Sequence, residues 1–216
     1  MSDDERQHKM ETAEGGRVEA FSDGVFAIVV TLLVFNLHVP NAVRTVTNHG
    51  LWGALTAQWP TYAAFVITFL WVLIMWSNHH NMFNLISRVD HNFLLLNGLV
   101  LLGVTATPFT SSLLAEHFDE PSGRVAAMVY SAVALFISLA FNATWHYASS
   151  RRRLLTDGAR DEQVRAVSLQ YVVGPVAFAV ALALAALSAW ASIAVFVLVE
   201  IFFALPLGAN RVLLPD

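Results

Sequence analysis

The sequence predicts an all-α integral membrane protein with six transmembrane helices, and three observations carry that prediction. The 216-residue chain is 56% hydrophobic and only 13% charged, against roughly 25% charged in soluble domains. Six windows of the length, about 20 residues, that crosses a hydrocarbon core about 30 Å thick are nearly free of charge, with Asp23 in the first and Glu200 in the sixth. The apolar runs are continuous, which excludes the alternating pattern of a membrane β-barrel.

The elements follow in order. Met1 to Gly16 is polar, of mixed charge, and lacks the basic-then-apolar order of a signal peptide; residues 1–16 are therefore expected to be a loosely ordered cytoplasmic tail. The first span runs from about Phe21 to Val39 and the second from about Ala54 to Asn78, rich in aromatics between Trp59 and Trp76. Asn92 to Ala115 forms the third and Val125 to Tyr147 the fourth. From Ala166 to Val199 the chain is uncharged and too long for one span at about 1.5 Å per residue. It must fold back, and a turn near Ser188 gives a fifth span of about 166–187 and a sixth of about 189–207. The membrane-embedded helical region is thus 17–210, with 211–216 a short cytoplasmic end.

An even number of spans puts Arg6, Lys9, Arg17, Arg88, Arg151, Arg152, Arg153, Arg160, Arg165 and Arg211 on one face, with only Arg44 and Arg124 opposite. Basic short loops stay cytoplasmic, so both termini are expected inside a multi-pass plasma-membrane protein, and the acidic turn Glu116, Asp119, Glu120 outside. Thr107-Pro108 and Gly174-Pro175 predict kinks whose freed carbonyls neighbours re-satisfy. Trp52, Trp59 and Trp190 fit an outer aromatic belt, and Trp71 fits packing.

The segment Arg17-Val-Glu-Ala-Phe21-Ser22-Asp23-Gly24 opens the first span. Polar groups are expensive there unless paired. Arg17, Ser22 and Asp23 are expected to form a network, partly with neighbours at the same membrane face: Trp76, His79 and His80 ending the second span, and Asp90 and Asn97 opening the third. Further along, Ile28, Leu32 and Phe35 share one stripe at about 100° per residue, with Thr31 beside them. Around an axis of several copies the stripe would make a narrow, mostly apolar constriction that gates by dewetting and discriminates among cations by the cost of dehydration. A lipid-facing or packed helix has the same composition, so periodicity leaves both readings open.

Arg17-x-x-x-Phe21-Ser22-Asp23, the Gly-Val-Phe-Ala-Ile-Val-Val-Thr-Leu-Leu-Val that follows, and Trp76-Ser-Asn-His79-His80 resemble the transmembrane protein 175 family of endolysosomal and prokaryotic potassium channels. The resemblance implies a channel without a P-loop filter, and the sequence has no Thr-Val-Gly-Tyr-Gly. It implies first helices lining a pore, with Ile28 at the narrowest ring and Thr31, Leu32 and Phe35 in deeper layers; Phe35 is bulkier than the aliphatic residue usual there. Animal members carry two six-helix repeats and this chain one signature, which implies a cyclic homotetramer. The signature residues would then hold each pore helix against its own second and third helices.

His79 and His80 lack a further ligand at metal spacing and are expected to be partnered inside the signature network. Glu200 is the one carboxylate deep in an apolar window; such groups are candidate proton or cation sites, although structural pairing is expected. Absence of cysteine excludes disulfides and thiolate chemistry. A net charge of -4 gives no nucleic-acid footprint, so Arg151-Arg152-Arg153 is expected to set topology or meet anionic lipid. No Gly-x-Ser-x-Gly or His-Glu-x-x-His is present, and an enzyme is not expected. The expected function is passive potassium permeation without a cofactor; the alternative is a secondary transporter or a proton-conducting membrane protein.

Overall fold

The computed structural model describes residues 3–41, 50–118 and 121–204, with side chains from Glu14 to Phe203. Helix α1 spans Asp3–Leu32 and tightens into a 3-10 turn at Leu33–Asn36. Short α2 covers Leu51–Thr56, and α3 runs over Trp59–Phe83. Next come α4 (His91–Thr105), α5 (Thr107–His117), α6 (Gly123–Ser149), α7 (Asp161–Ala185) and α8 (Ala189–Ala204).

Five stretches are long and apolar enough to span a membrane, with α4 and α5 together counting as one. At the expected sixth span lies α8, a shorter apolar helix of 16 described residues; its expected end near 207, Asp119, Glu120, Arg44 and the segment 211–216 lie outside the described residues. Three boundaries differ from expectation. The 1–16 tail was expected to be loosely ordered, yet α1 is helical from Asp3, because Glu, Arg, Gln, Lys, Met and Ala before Gly15 are good helix formers. The second span begins at Trp59, with Pro60 in its first turn, where a missing N–H costs nothing. Pro108 starts a new helix after a break at Ala106, and does not merely bend one.

α6 is the central column, packed against α4, α5, α7 and α8, while α1 packs on α3 and α4. At the α4–α6 crossing a Cβ on Gly103 would collide with Ile137 and Phe136, so the absent side chain sets the approach. Trp71 lies 5.7 Å from each of Tyr130, Phe178 and Phe196, joining α3, α6, α7 and α8; the packing role expected of it holds. The Tyr130 hydroxyl meets Thr68 Oγ1 at 2.9 Å, which donates to Ser111 Oγ at 3.0 Å, so polar groups inside the apolar core satisfy one another.

Both proline sites recover their lost bonds. Thr107 Oγ1 donates to Val104 O at 2.8 Å, the carbonyl that Pro108 abandons. Asn142 Nδ2 donates to Tyr171 O at 2.8 Å, the carbonyl that Pro175 abandons four residues on. The turn between α7 and α8 falls at Ala186 to Ser188, where it was expected.

The loops after α3 and α6 meet as a bridge between Ile86 and Leu155, with Ser87 N–H donating to Leu154 O at 3.0 Å. Glu19 of α1 joins this end through His80. Arg17, Arg88, Arg151, Arg152 and Arg153 are thereby gathered at one end of the bundle. At the other end Trp59 stacks on Trp190 at 5.6 Å, and Phe118 packs edge-on to Trp190 at 4.6 Å.

Candidate pore helix and its polar anchor

α1 has two unlike faces. Ser22, Phe26, Val29 and Leu33, at i, i+4, i+7 and i+11, are buried against α3 and α4. On the other side Phe21, Ile28, Leu32 and Phe35 are exposed, Ile28 to 59% and Phe35 to 74%. Thr31 shares that face, and its Oγ1 donates to Ile28 O at 2.7 Å, which covers the hydroxyl proton within the helix. An outward face with large apolar side chains needs lipid or another protein surface to cover it.

The buried face is anchored by a short polar relay. Ser22 Oγ donates to Val18 O at 2.9 Å and accepts from Asn97 Nδ2 at 3.0 Å; Asn97 Oδ1 then lies 2.9 Å from His79 Nε2. With the Asn97 amide so oriented, His79 Nε2 must donate, and its Nδ1 is left without a partner among the described residues. Three rings enclose this imidazole: Phe83 stacked at 4.7 Å, Phe26 at 5.4 Å and Phe141 edge-on at 6.0 Å.

A second, wetter pair of contacts lies beside it. Trp76 Nε1 donates to Asp23 Oδ1 at 2.9 Å, His80 Nδ1 meets Glu19 Oε1 at 2.9 Å, and the Trp76 and His80 rings stack at 6.2 Å. Glu19 was missed in the sequence. Glu19 and Asp23 are i, i+4 on one helix, as Trp76 and His80 are on its antiparallel neighbour, and the match appears only once the two helices are paired.

Three expected members stand apart. Arg17 and Phe21 are exposed, and Arg17 has no hydrogen bond or ion pair among the described residues. The cause is angular, since six residues at about 100° each carry Arg17 well around the helix from Asp23. Asp90 serves another cluster: it caps α4 by accepting from Phe93 N–H at 2.9 Å and accepts from Tyr147 hydroxyl at 2.7 Å. Arg153 donates to that hydroxyl at 2.9 Å and sits 4.8 Å over the ring, so Tyr147, also missed, ties the loop after α6 to the start of α4.

Glu200 departs from its expected pairing. It is buried, and its Oε1 has no hydrogen-bond partner among the described residues. No group of three His, Asp or Glu side chains among the described residues is arranged to hold a metal.

Known proteins are similar to this chain. A family model described as endosomal/lysosomal potassium channel TMEM175 matches residues 17–108, from the α1 cluster to the start of α5. A potassium channel of Chamaesiphon minutus is 46% identical over 195 residues, covering 90% of this chain and 96% of that relative. The chain belongs to the TMEM175 family. A potassium channel of Streptomyces collinus is 41% identical over 203 residues, 94% of this chain and 95% of that one. The crystal structure of a lysosomal potassium-selective channel TMEM175 homolog from Chamaesiphon minutus superposes with a TM-score of 0.81 at 44% identity, over 89% of this chain and 97% of the other. TMEM175 proteins are membrane ion channels by that description, and the multi-pass helical architecture found here agrees with it.

Proposed function

We propose that this chain is the subunit of a potassium channel, a cyclic homotetramer in the plasma membrane with both termini cytoplasmic, six spans per subunit within residues 17–210, and an α1 from each subunit around the axis. The single observation that carries this reading is the two-faced α1, whose inner stripe is locked to α3 and α4 while Ile28, Thr31, Leu32 and Phe35 are left uncovered. The names of the relatives, potassium channels covered over nearly their whole length, support the choice of ion.

In this reading four Ile28 side chains form the narrowest ring. Aliphatic walls offer no oxygen to replace a hydration shell, so a passing cation is selected by how cheaply it sheds water, and potassium sheds water more readily than sodium. Permeation is passive and driven by the ion's gradient. The relay Ser22, Asn97, His79 and the contact of Asp23 with Trp76 do not touch the ion; they fix the rotation of α1 so that Ile28 points to the axis. Arg17 and Phe21, exposed on the single subunit, face neighbouring subunits. The arginine-rich end meets the anionic inner leaflet.

The experiment is flux from liposomes containing the purified protein, potassium beside sodium, in the parent and in Ile28→Asn. The parent is expected to pass potassium faster. The polar ring of Ile28→Asn wets the constriction and brings the two fluxes toward equality, whereas unchanged discrimination would remove Ile28 from the bottleneck.

A further inference from the structure

An open cleft of about 540 Å³ lies among α3, α6, α7 and α8. None of its lining residues belongs to α1, so it is separate from the stripe assigned to the pore. Aromatic walls come from Trp71, Phe141 and Phe178, and polar atoms from Asn78, Ser138, Gln170, Tyr171 and Glu200.

Three of these polar side chains already donate hydrogen bonds. Gln170 Nε2 donates to Asn78 Oδ1 at 3.2 Å, Tyr171 hydroxyl donates to Asn78 O at 2.8 Å, and Ser138 Oγ donates to Leu135 O at 2.9 Å. Glu200, 8% exposed, has Oε1 without a partner, and no Lys or Arg lines the cleft. A lone carboxyl in apolar surroundings either holds a proton or pairs with a cation, and a cation that enters this cleft gives Glu200 the partner it lacks among the described residues. Potassium is a poor fit, because its hydration shell is replaced by many oxygens and this wall has one uncommitted carboxylate. Aromatic faces around a single anion are the chemistry that recognises an organic ammonium.

We propose that this cleft is a binding site for a small organic ammonium, its cationic head paired with the Glu200 carboxylate and its apolar body laid against Trp71, Phe141 and Phe178. The cleft opens to the outside, so the apolar body extends from the ammonium head toward the mouth.

The test is calorimetric titration of the full chain in zwitterionic nanodiscs with benzyltrimethylammonium and, as its uncharged counterpart of the same shape, neopentylbenzene. The parent is expected to bind the cation saturably and prefer it by roughly tenfold or more. Glu200→Gln loses that preference, and Ile28→Asn keeps it. Ser138→Leu, which narrows the cleft from the α6 side and leaves the Glu200 side chain in place, loses binding and serves as the second variant if Glu200→Gln does not fold. Absence of saturable binding, equal affinity for the two probes, retention in Ser138→Leu or Glu200→Gln, or loss in Ile28→Asn each overturns the site. The last outcome would place the probe in the pore and leave the channel reading standing.

Discussion

At the scale of single residues, Asn97 matters because both ends of its amide are in use, accepting from His79 and donating to Ser22. Replacing it with Leu keeps much of the volume but strands the His79 Nε2 proton in a pocket of phenylalanine rings. An unsatisfied buried donor costs about 1–3 kcal/mol, so Asn97→Leu should lower the thermal stability of the detergent-solubilised protein by that order. Adding His79→Leu removes the orphan and should restore part of the loss, which a double-mutant cycle reads directly; an Asn97→Leu protein as stable as the parent would show that the relay contributes nothing. Asn97, Ser22 and His79 were legible in the sequence because a polar side chain in an apolar window needs a reason. Glu19 and Tyr147 were not, since a carboxylate near an arginine or a tyrosine at a helix end is ordinary at a membrane face, and only the antiparallel pairing of α1 with α3 and the position of Arg153 give them partners.

At the scale of elements, the spans were readable from hydropathy and the fold-back near Ser188 from length alone. Their interruptions were less so. Pro108 and Pro175 announce broken backbone bonds, but the groups that repair them differ: Thr107 is adjacent to its proline in sequence, while Asn142 reaches Tyr171 O from a different helix, 29 residues away. Such a partner follows only from how α6 and α7 cross. Asn142→Leu should therefore leave the Tyr171 carbonyl unpaired and destabilise the protein by about 1–3 kcal/mol. Pro175→Ala in that background supplies a backbone N–H to the same carbonyl and should recover stability. Independent, additive effects of the two substitutions on the melting temperature would mean that Asn142 does not compensate for the proline.

At the scale of the whole molecule, an exposed Arg17 with no partner among the described residues and an exposed Phe21 make sense as intersubunit groups. Arg17→Ala is expected to reduce the tetramer fraction on size exclusion while leaving helix content unchanged; intact tetramers would return Arg17 to the lipid or the cytoplasm. The axial position of α1 has a sharper test, because the chain contains no cysteine and any single introduced thiol is the only one present. Ile28 and Val29 are neighbours in sequence on opposite faces, one 59% exposed and the other 1%. If four copies of α1 surround an axis, Ile28→Cys brings thiols from different subunits together. Mild oxidation should then give disulfide-linked dimers, and a thiol reagent added from the aqueous side should stop potassium flux. Val29→Cys, held against α3 and α4 within its own subunit, should do neither. Residue 28 facing lipid would give slow or absent cross-linking and flux indifferent to the reagent. Equal cross-linking at 28 and 29 would instead mean that α1 is free to rotate, and that the anchor of Ser22, Asn97 and His79 does not fix which face the pore sees.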